Sequence, residues 1–231
     1  TLVGNDTYSD VAVLSVDSSK VISVATLGSS ERLRVGDTAF TVGAPLDASA
    51  YSWTVTRGII SGKNRKVEVS SASSSFVMNV LQTDAPINSG NSGGPLCNVN
   101  GEVIGITNMK ISNTTVEGMG FAIPIETAIE YANKFINKEA IIRPYLGISM
   151  YDASSTILKK DGVYVVAVEE NSSASKAGLK EGDIITKIDD VAIKNTSYFK
   201  YELYKHNPGD KVTVTYNRNG KELTSEVTLE E

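Results

Sequence analysis

The stretch Gly90-Asn91-Ser92-Gly93-Gly94-Pro95-Leu96 limits this chain more than any other. Glycine takes backbone angles closed to other residues and lets segments approach closely, so the stretch reads as a tight turn. A serine placed there stands on bare backbone from both sides. The spacing suits a nucleophile beside amides, Gly90 N–H and Ser92 N–H, that point at one spot and hold the oxyanion of an acyl-transfer intermediate. Ser92 is the expected nucleophile, and Gly90, Asn91 and Ser92 the expected oxyanion turn.

Composition narrows the alternatives. With 231 residues, 41% hydrophobic and 21% charged, the chain has room for one large globular domain or two modest ones. A net charge of -5 argues against nucleic acid as the main partner. Cys97 is the only cysteine and His206 the only histidine, which excludes an internal disulfide and an ordinary Cys/His zinc cluster. No metal or cofactor is expected, and Cys97 reads as a small buried apolar residue. No apolar run nears the length of a membrane span. Thr1 leads directly into strand-like sequence, as though the chain were cut inside a domain with its targeting signal removed.

Up to about Gly120, short apolar runs alternate with Gly, Ser, Asn and Asp. Val11 to Val16, Thr38 to Val42, Val55 to Ile60, Phe76 to Leu81 and Glu102 to Ile106 read as strands of a barrel or sandwich. The charged run Lys63-Asn64-Arg65-Lys66 and serine-rich Ser70 to Ser75 read as loop. After Pro124 the period changes. Ile125, Ile129, Ala132, Phe135 and Ile136 recur at three and four residues, predicting a helix with proline at its start. Asn137 to Arg143 reads as a linker. In the remainder, Gly162 to Val168 and Ile184 to Ile188 read as strands. A helix capped by Asn195 or Thr196 runs to about Lys205, and Asn219-Gly220 marks a hairpin. The expected domains are 1–140 and 144–231.

Asp10 precedes Val11-Ala12-Val13-Leu14, so its carboxylate is expected at a strand edge, facing a cleft, where it orients an imidazole. That imidazole has no candidate near Ser92 in the sequence. His206 reads as a helix C-terminal residue, where positive charge is favoured.

Four motifs in order are Ser9-Asp10-Val11-Ala12-Val13-Leu14, the Ser92 heptapeptide, Gly118-Met119-Gly120-Phe121-Ala122-Ile123-Pro124 and Tyr145-Leu146-Gly147-Ile148. Together they resemble the HtrA family of bacterial serine proteases, across essentially the whole chain. The resemblance implies a mostly β chymotrypsin-like double barrel, its first barrel incomplete here, followed by an α+β PDZ domain. It implies that the triad histidine precedes Asp10 in chain order, so that residues 1–231 alone are inactive. It further implies degradation of unfolded proteins outside the cytoplasm, a homotrimer, and membrane anchoring or secretion. A non-catalytic PDZ scaffold with a degenerate protease-like domain is the alternative.

In chymotrypsin-like enzymes the residue six before the serine floors the primary pocket. Here that is Pro86, followed by Ile87, with Ile106-Thr107-Asn108 as the opposite wall. An uncharged floor implies small or medium aliphatic side chains in the pocket rather than Lys or Arg. In the second domain the resemblance makes Tyr145-Leu146-Gly147-Ile148 a carboxylate-binding loop. Phe199 and Leu203 either line its side-chain pocket or are simply core.

Overall fold

The computed structural model describes residues 1–44, 53–70, 75–108, 118–155 and 160–231, and the chain divides into two compact units, Thr1–Ala140 and Ile141–Glu231. Most of the serine-rich segment, residues 71–74, lies outside the described residues.

In the first unit, β1 (Leu2–Asp6) and β2 (Val11–Leu14) form a two-stranded antiparallel sheet. Six strands then close a barrel in the order β3-β4-β5-β8-β7-β6. They are β3 (Thr38–Gly43), β4 (Thr54–Ser70), β5 (Ser75–Thr83), β6 (Pro95–Asn98), β7 (Val103–Asn108) and β8 (Gly120–Pro124). Closure leaves no unpaired edge around the ring. The barrel interior holds Leu33, Ala39, Ile60, Leu81, Leu96, Ile104 and Ala122, and a second layer, on the opposite faces of β4, β5 and β8, is Val69, Phe76, Met78, Val80, Phe121 and Ile123. Tyr8 and Val11, from the β1–β2 hairpin, pack on the second layer, with the Tyr8 ring edge-on to Phe76 at 6.1 Å. That contact docks the hairpin tip, and Asp10 with it, onto the barrel.

The charged run Lys63–Lys66 is not a loop tip. It lies inside β4, which pairs with β5 as far as Ser70, with irregular register between Ile60 and Arg65. Lys63 Nζ is spent on the carbonyls of Glu31 and Leu33 at 2.7 and 2.8 Å.

Helix α1 (Ile125–Ile136) starts at Pro124 and buries Ile125, Ala128 and Phe135. Its first turn holds Glu126, whose carboxylate accepts from Ser29 Oγ and Ser30 N, both at 2.8 Å, and from Ser30 Oγ. Partial burial opposes the charge, but these hydrogen bonds outweigh it and hold the Glu126 carboxyl below its ordinary value. The helix N-terminus also favours an anion. Glu126→Gln is therefore expected to cost about 1–2 kcal/mol at neutral pH. A depressed folded pKa gives stability that is present above the unfolded glutamate value of about 4.3 and lost as pH falls through the folded one. The difference in melting temperature between wild type and Glu126→Gln should shrink at pH 3. A gap equal at pH 7 and pH 3 contradicts this assignment.

In the second unit a sheet runs β14-β13-β11-β10-β9, with β12 pairing β11. The elements are β9 (Ile148–Asp152), β10 (Val163–Val168), α2 (Ser173–Lys176), β11 (Ile184–Ile188), β12 (Val191–Ala192), α3 (Thr196–Leu203), β13 (Lys211–Arg218) and β14 (Lys221–Thr228). Asn219 and Gly220 both take positive φ, 53° and 83°, between the paired residues Arg218 and Lys221. That is the geometry a two-residue hairpin turn demands. Asn195 Oδ1 caps α3 by accepting from Tyr198 N at 3.0 Å. The core includes Leu146, Val163, Val165, Ile185, Ile188, Phe199, Leu203, Val214 and Leu229.

Candidate functional site

Ser92 is exposed on a turn between β5 and β6. Gly90 and Gly93 take φ of 109° and 79°, which a side chain resists. The turn sits so close to β3 that a Cβ on Gly43 would fall 2.5 Å from Asn91 Cβ. Strand β7 holds the turn. Gly93 N donates to Thr107 O at 2.7 Å, Thr107 N to Gly94 O at 2.9 Å, and the Thr107 hydroxyl to Asn91 O and Gly94 O.

The next residue of β7 holds Asp10. Asn108 Nδ2 donates to Asp10 Oδ2 at 2.9 Å. Asp10 closes the β1–β2 turn with φ of 53°, a left-handed conformation that aspartate tolerates better than most residues. Ser9 N, tied to Asp6 Oδ2 at 2.7 Å, tightens the same turn. Two consecutive residues of one strand thus fix the serine turn and the carboxylate. The sequence reading assigned Thr107 and Asn108 to a pocket wall and missed these roles. Both side chains are buried and turned to these partners, so only their backbone is left for a wall. Ile106 is half-buried and packs on the second barrel layer.

Asn91 departs from the expected oxyanion role, since its N–H donates to Asn88 O at 3.2 Å. Its side chain staples the preceding loop, accepting from Asn88 N at 2.9 Å and donating to Pro86 O at 3.0 Å. The Gly90 N–H donates to no described residue. Pro86 is exposed, its carbonyl also held by Thr56 Oγ1 at 2.8 Å, and Ile87 is half-buried. A Cβ on Gly120 would lie 2.8 Å from Ile87 Cδ1, so glycine there leaves the isoleucine its place. Cys97 is buried, and burial pushes its thiol pKa up. His206 belongs to the second unit, its Nε2 3.6 Å from Asp189 Oδ2. Among the described residues no cluster of His, Cys, Asp or Glu is set to hold a metal ion.

In the second unit, Tyr145 is anchored by backbone bonds to Glu230 at 2.9 and 3.1 Å. Its hydroxyl donates to Glu169, which together with slight burial raises the phenol pKa. Gly147 has φ of 78°, and its carbonyl accepts from Glu169 N at 2.9 Å. The Leu146 and Gly147 N–H groups donate to no described residue, although both residues are buried. Strand β9 pairs only with β10 among the described residues, leaving its other edge open beside α3.

Phe199 and Leu203 pack inward on α3. They are 1% and 3% exposed and belong to the core. A groove of about 380 Å³ between β9 and α3 is lined by Thr196 and Lys200, with Met150, Tyr151, Asp152 and Ser155. Both pairs have the same four-residue spacing. Hydrophobicity picks out the core-facing stripe, and nothing local in the sequence marks the other.

Known proteins resemble this chain along its whole length. Residues 1–106 match the trypsin-like peptidase domain family and residues 144–229 the PDZ domain family. Serine protease Do-like HtrA of Lactobacillus helveticus is 42% identical over 244 residues, covering 99% of this chain and 58% of that protein. The periplasmic pH-dependent serine endoprotease DegQ of Escherichia coli is 37% identical over 236 residues, covering 99% and 50%. This chain therefore spans about half the length of these relatives. Among solved structures, the HtrA-type protease AlgW with decapeptide superimposes with a TM-score of 0.72 at 31% identity, covering 100% of this chain and 70% of that one.

Proposed function

Because this chain belongs to the HtrA family of serine proteases, we propose that it is part of a serine endopeptidase that degrades unfolded proteins and captures peptide C-termini through its PDZ domain. Ser92 is the nucleophile, and Asp10 orients the imidazole that takes its proton. The Gly90 and Ser92 amides receive the oxyanion. The observation that carries this reading is the grip of β7 on both groups, Thr107 on the serine turn and Asn108 on Asp10. The uncharged Pro86 and Ile87 favour small or medium aliphatic side chains in the primary pocket.

The family order places the histidine before Asp10, and residues 1–9 contain none. Residues 1–231 alone are therefore expected to turn over substrate negligibly. The relative named as periplasmic supports a site of action outside the cytoplasm. Membrane anchoring or secretion, and a homotrimeric assembly, extend the same family reading. Leu146 and Gly147 N–H supply the carboxylate site, and the open edge of β9 pairs with the peptide by β-augmentation. The structure of a relative with a decapeptide accords with that role.

Casein digestion by the protein as its host makes it, against Ser92→Ala, tests the enzyme reading. Digestion should fall to background in the variant. Equal digestion by both ends the reading and leaves the scaffold.

A further inference from the structure

The groove beside β9 carries a charge that the carboxylate loop does not use. Along β9 the side chains alternate, with Ile148, Met150 and Asp152 turned inward and Ser149 and Tyr151 more exposed. A peptide whose carboxylate sits on Leu146 and Gly147 N–H, and which runs antiparallel to β9, places its last residue opposite Ile148. Its third residue from the end then lies opposite Met150 and its fifth opposite Asp152. These alternate side chains face α3.

The helix answers with Thr196 and Lys200. Thr196 N donates to Asp152 Oδ1 at 2.8 Å, so Thr196 marks the Asp152 level and the Asp152 carboxylate already has a partner at the helix N-terminus. Lys200 is one turn further on. A helical turn advances about 5.4 Å, close to two residues of strand, which brings Lys200 to the level of Met150. Both residues line the same groove. Lys200 is half-buried, and its ammonium makes no ion pair or hydrogen bond among the described residues.

We infer that this groove selects C-terminal peptides with an acidic side chain at the third position from the end, read by Lys200. The inference rests on the reading of Tyr145–Ile148 as a carboxylate-binding loop. At the fifth position the same logic disfavours acid, because Asp152 stands there.

The test is fluorescence anisotropy of the 231-residue chain with fluorescein-labelled Gly-Ala-Ser-Xaa-Ala-Val, where Xaa is Glu, Gln or Lys, each as free acid and as C-terminal amide. The Glu peptide should bind about 2- to 5-fold more tightly than the Gln peptide, the range of a partly exposed ion pair, and the Lys peptide more weakly than either. Added salt should narrow the gap. Lys200→Gln should abolish it, and Lys200→Arg should restore it. Equal binding of Glu and Gln peptides, or a gap that survives Lys200→Gln, overturns the inference while leaving the carboxylate loop intact. If amides bind as well as free acids, or no peptide binds, the loop reading fails and this inference with it.

Discussion

A fluorophosphonate is expected to label Ser92 of residues 1–231 on the order of 10⁴- to 10⁶-fold more slowly than a serine protease with its imidazole in place. A serine hydroxyl is a weak nucleophile until a base takes its proton. The strand that grips the serine turn also holds a carboxylate, that of Asp10, on Asn108 Nδ2. Carboxylates as a class are weak bases at neutral pH, with pKa values of about 4. The oxyanion amides alone preserve a residual rate enhancement of about 10³- to 10⁴-fold over water. Labelling should therefore be slow but faster than that of the heat-denatured chain, and absent in Ser92→Ala. Labelling at the rate of a complete triad would mean that another group accepts the proton, and the assignment of Asp10 as an orienting residue would fall.

How much of this was legible in the sequence depends on the range of each interaction. The Ser92 turn was readable because glycine spacing is a local steric demand, and Gly90 and Gly93 do take the positive φ that it implies. The Asn219-Gly220 turn was readable for the same reason. Helix α1 was visible from its period and from Pro124. The strands β1, β6 and β8 were not singled out, since each is short and gains its place from pairing with distant partners. The Lys63–Lys66 run looked like a loop because its charge suits solvent. In the fold, pairing with β5 overrides that preference, and Lys63 finds two carbonyls 32 and 30 positions away, Glu31 and Leu33. The joint between Asn108 and Asp10 spans 98 positions, and no local pattern announces it. Asn91 was misread because the oxyanion motif says which residues form the turn, not which N–H the turn itself consumes.

The second unit hangs on one ion pair that the sequence did not reveal, and Arg218→Ala is expected to lower its stability by about 3–5 kcal/mol. Asp183 is 0% exposed and Arg218 meets it side-on, Nε to Oδ1 and Nη2 to Oδ2, both at 2.7 Å. Lys180 N adds a third bond to Oδ2 at 2.8 Å, and Arg218 Nη2 reaches Gly178 O at 2.8 Å, so the pair also pins the turn after α2. The hydrogen bond to Asp183 outweighs desolvation and raises the Arg218 pKa, so the guanidinium stays charged wherever the protein is folded. Truncating the arginine removes two charge-assisted bonds and leaves the buried Asp183 carboxylate without its counter-charge. That penalty exceeds the gain an intact pair gives, because the unpaired charge keeps its full desolvation cost. A domain of this size holds only about 5–15 kcal/mol in total, so the loss should be visible as an early transition in urea followed by circular dichroism. Adding Asp183→Ala to Arg218→Ala should recover part of the stability, since the stranded charge is then gone. A loss under about 1 kcal/mol in the single variant, or a double variant no better than the single, would show that water reaches Asp183 and that the pair is a surface contact.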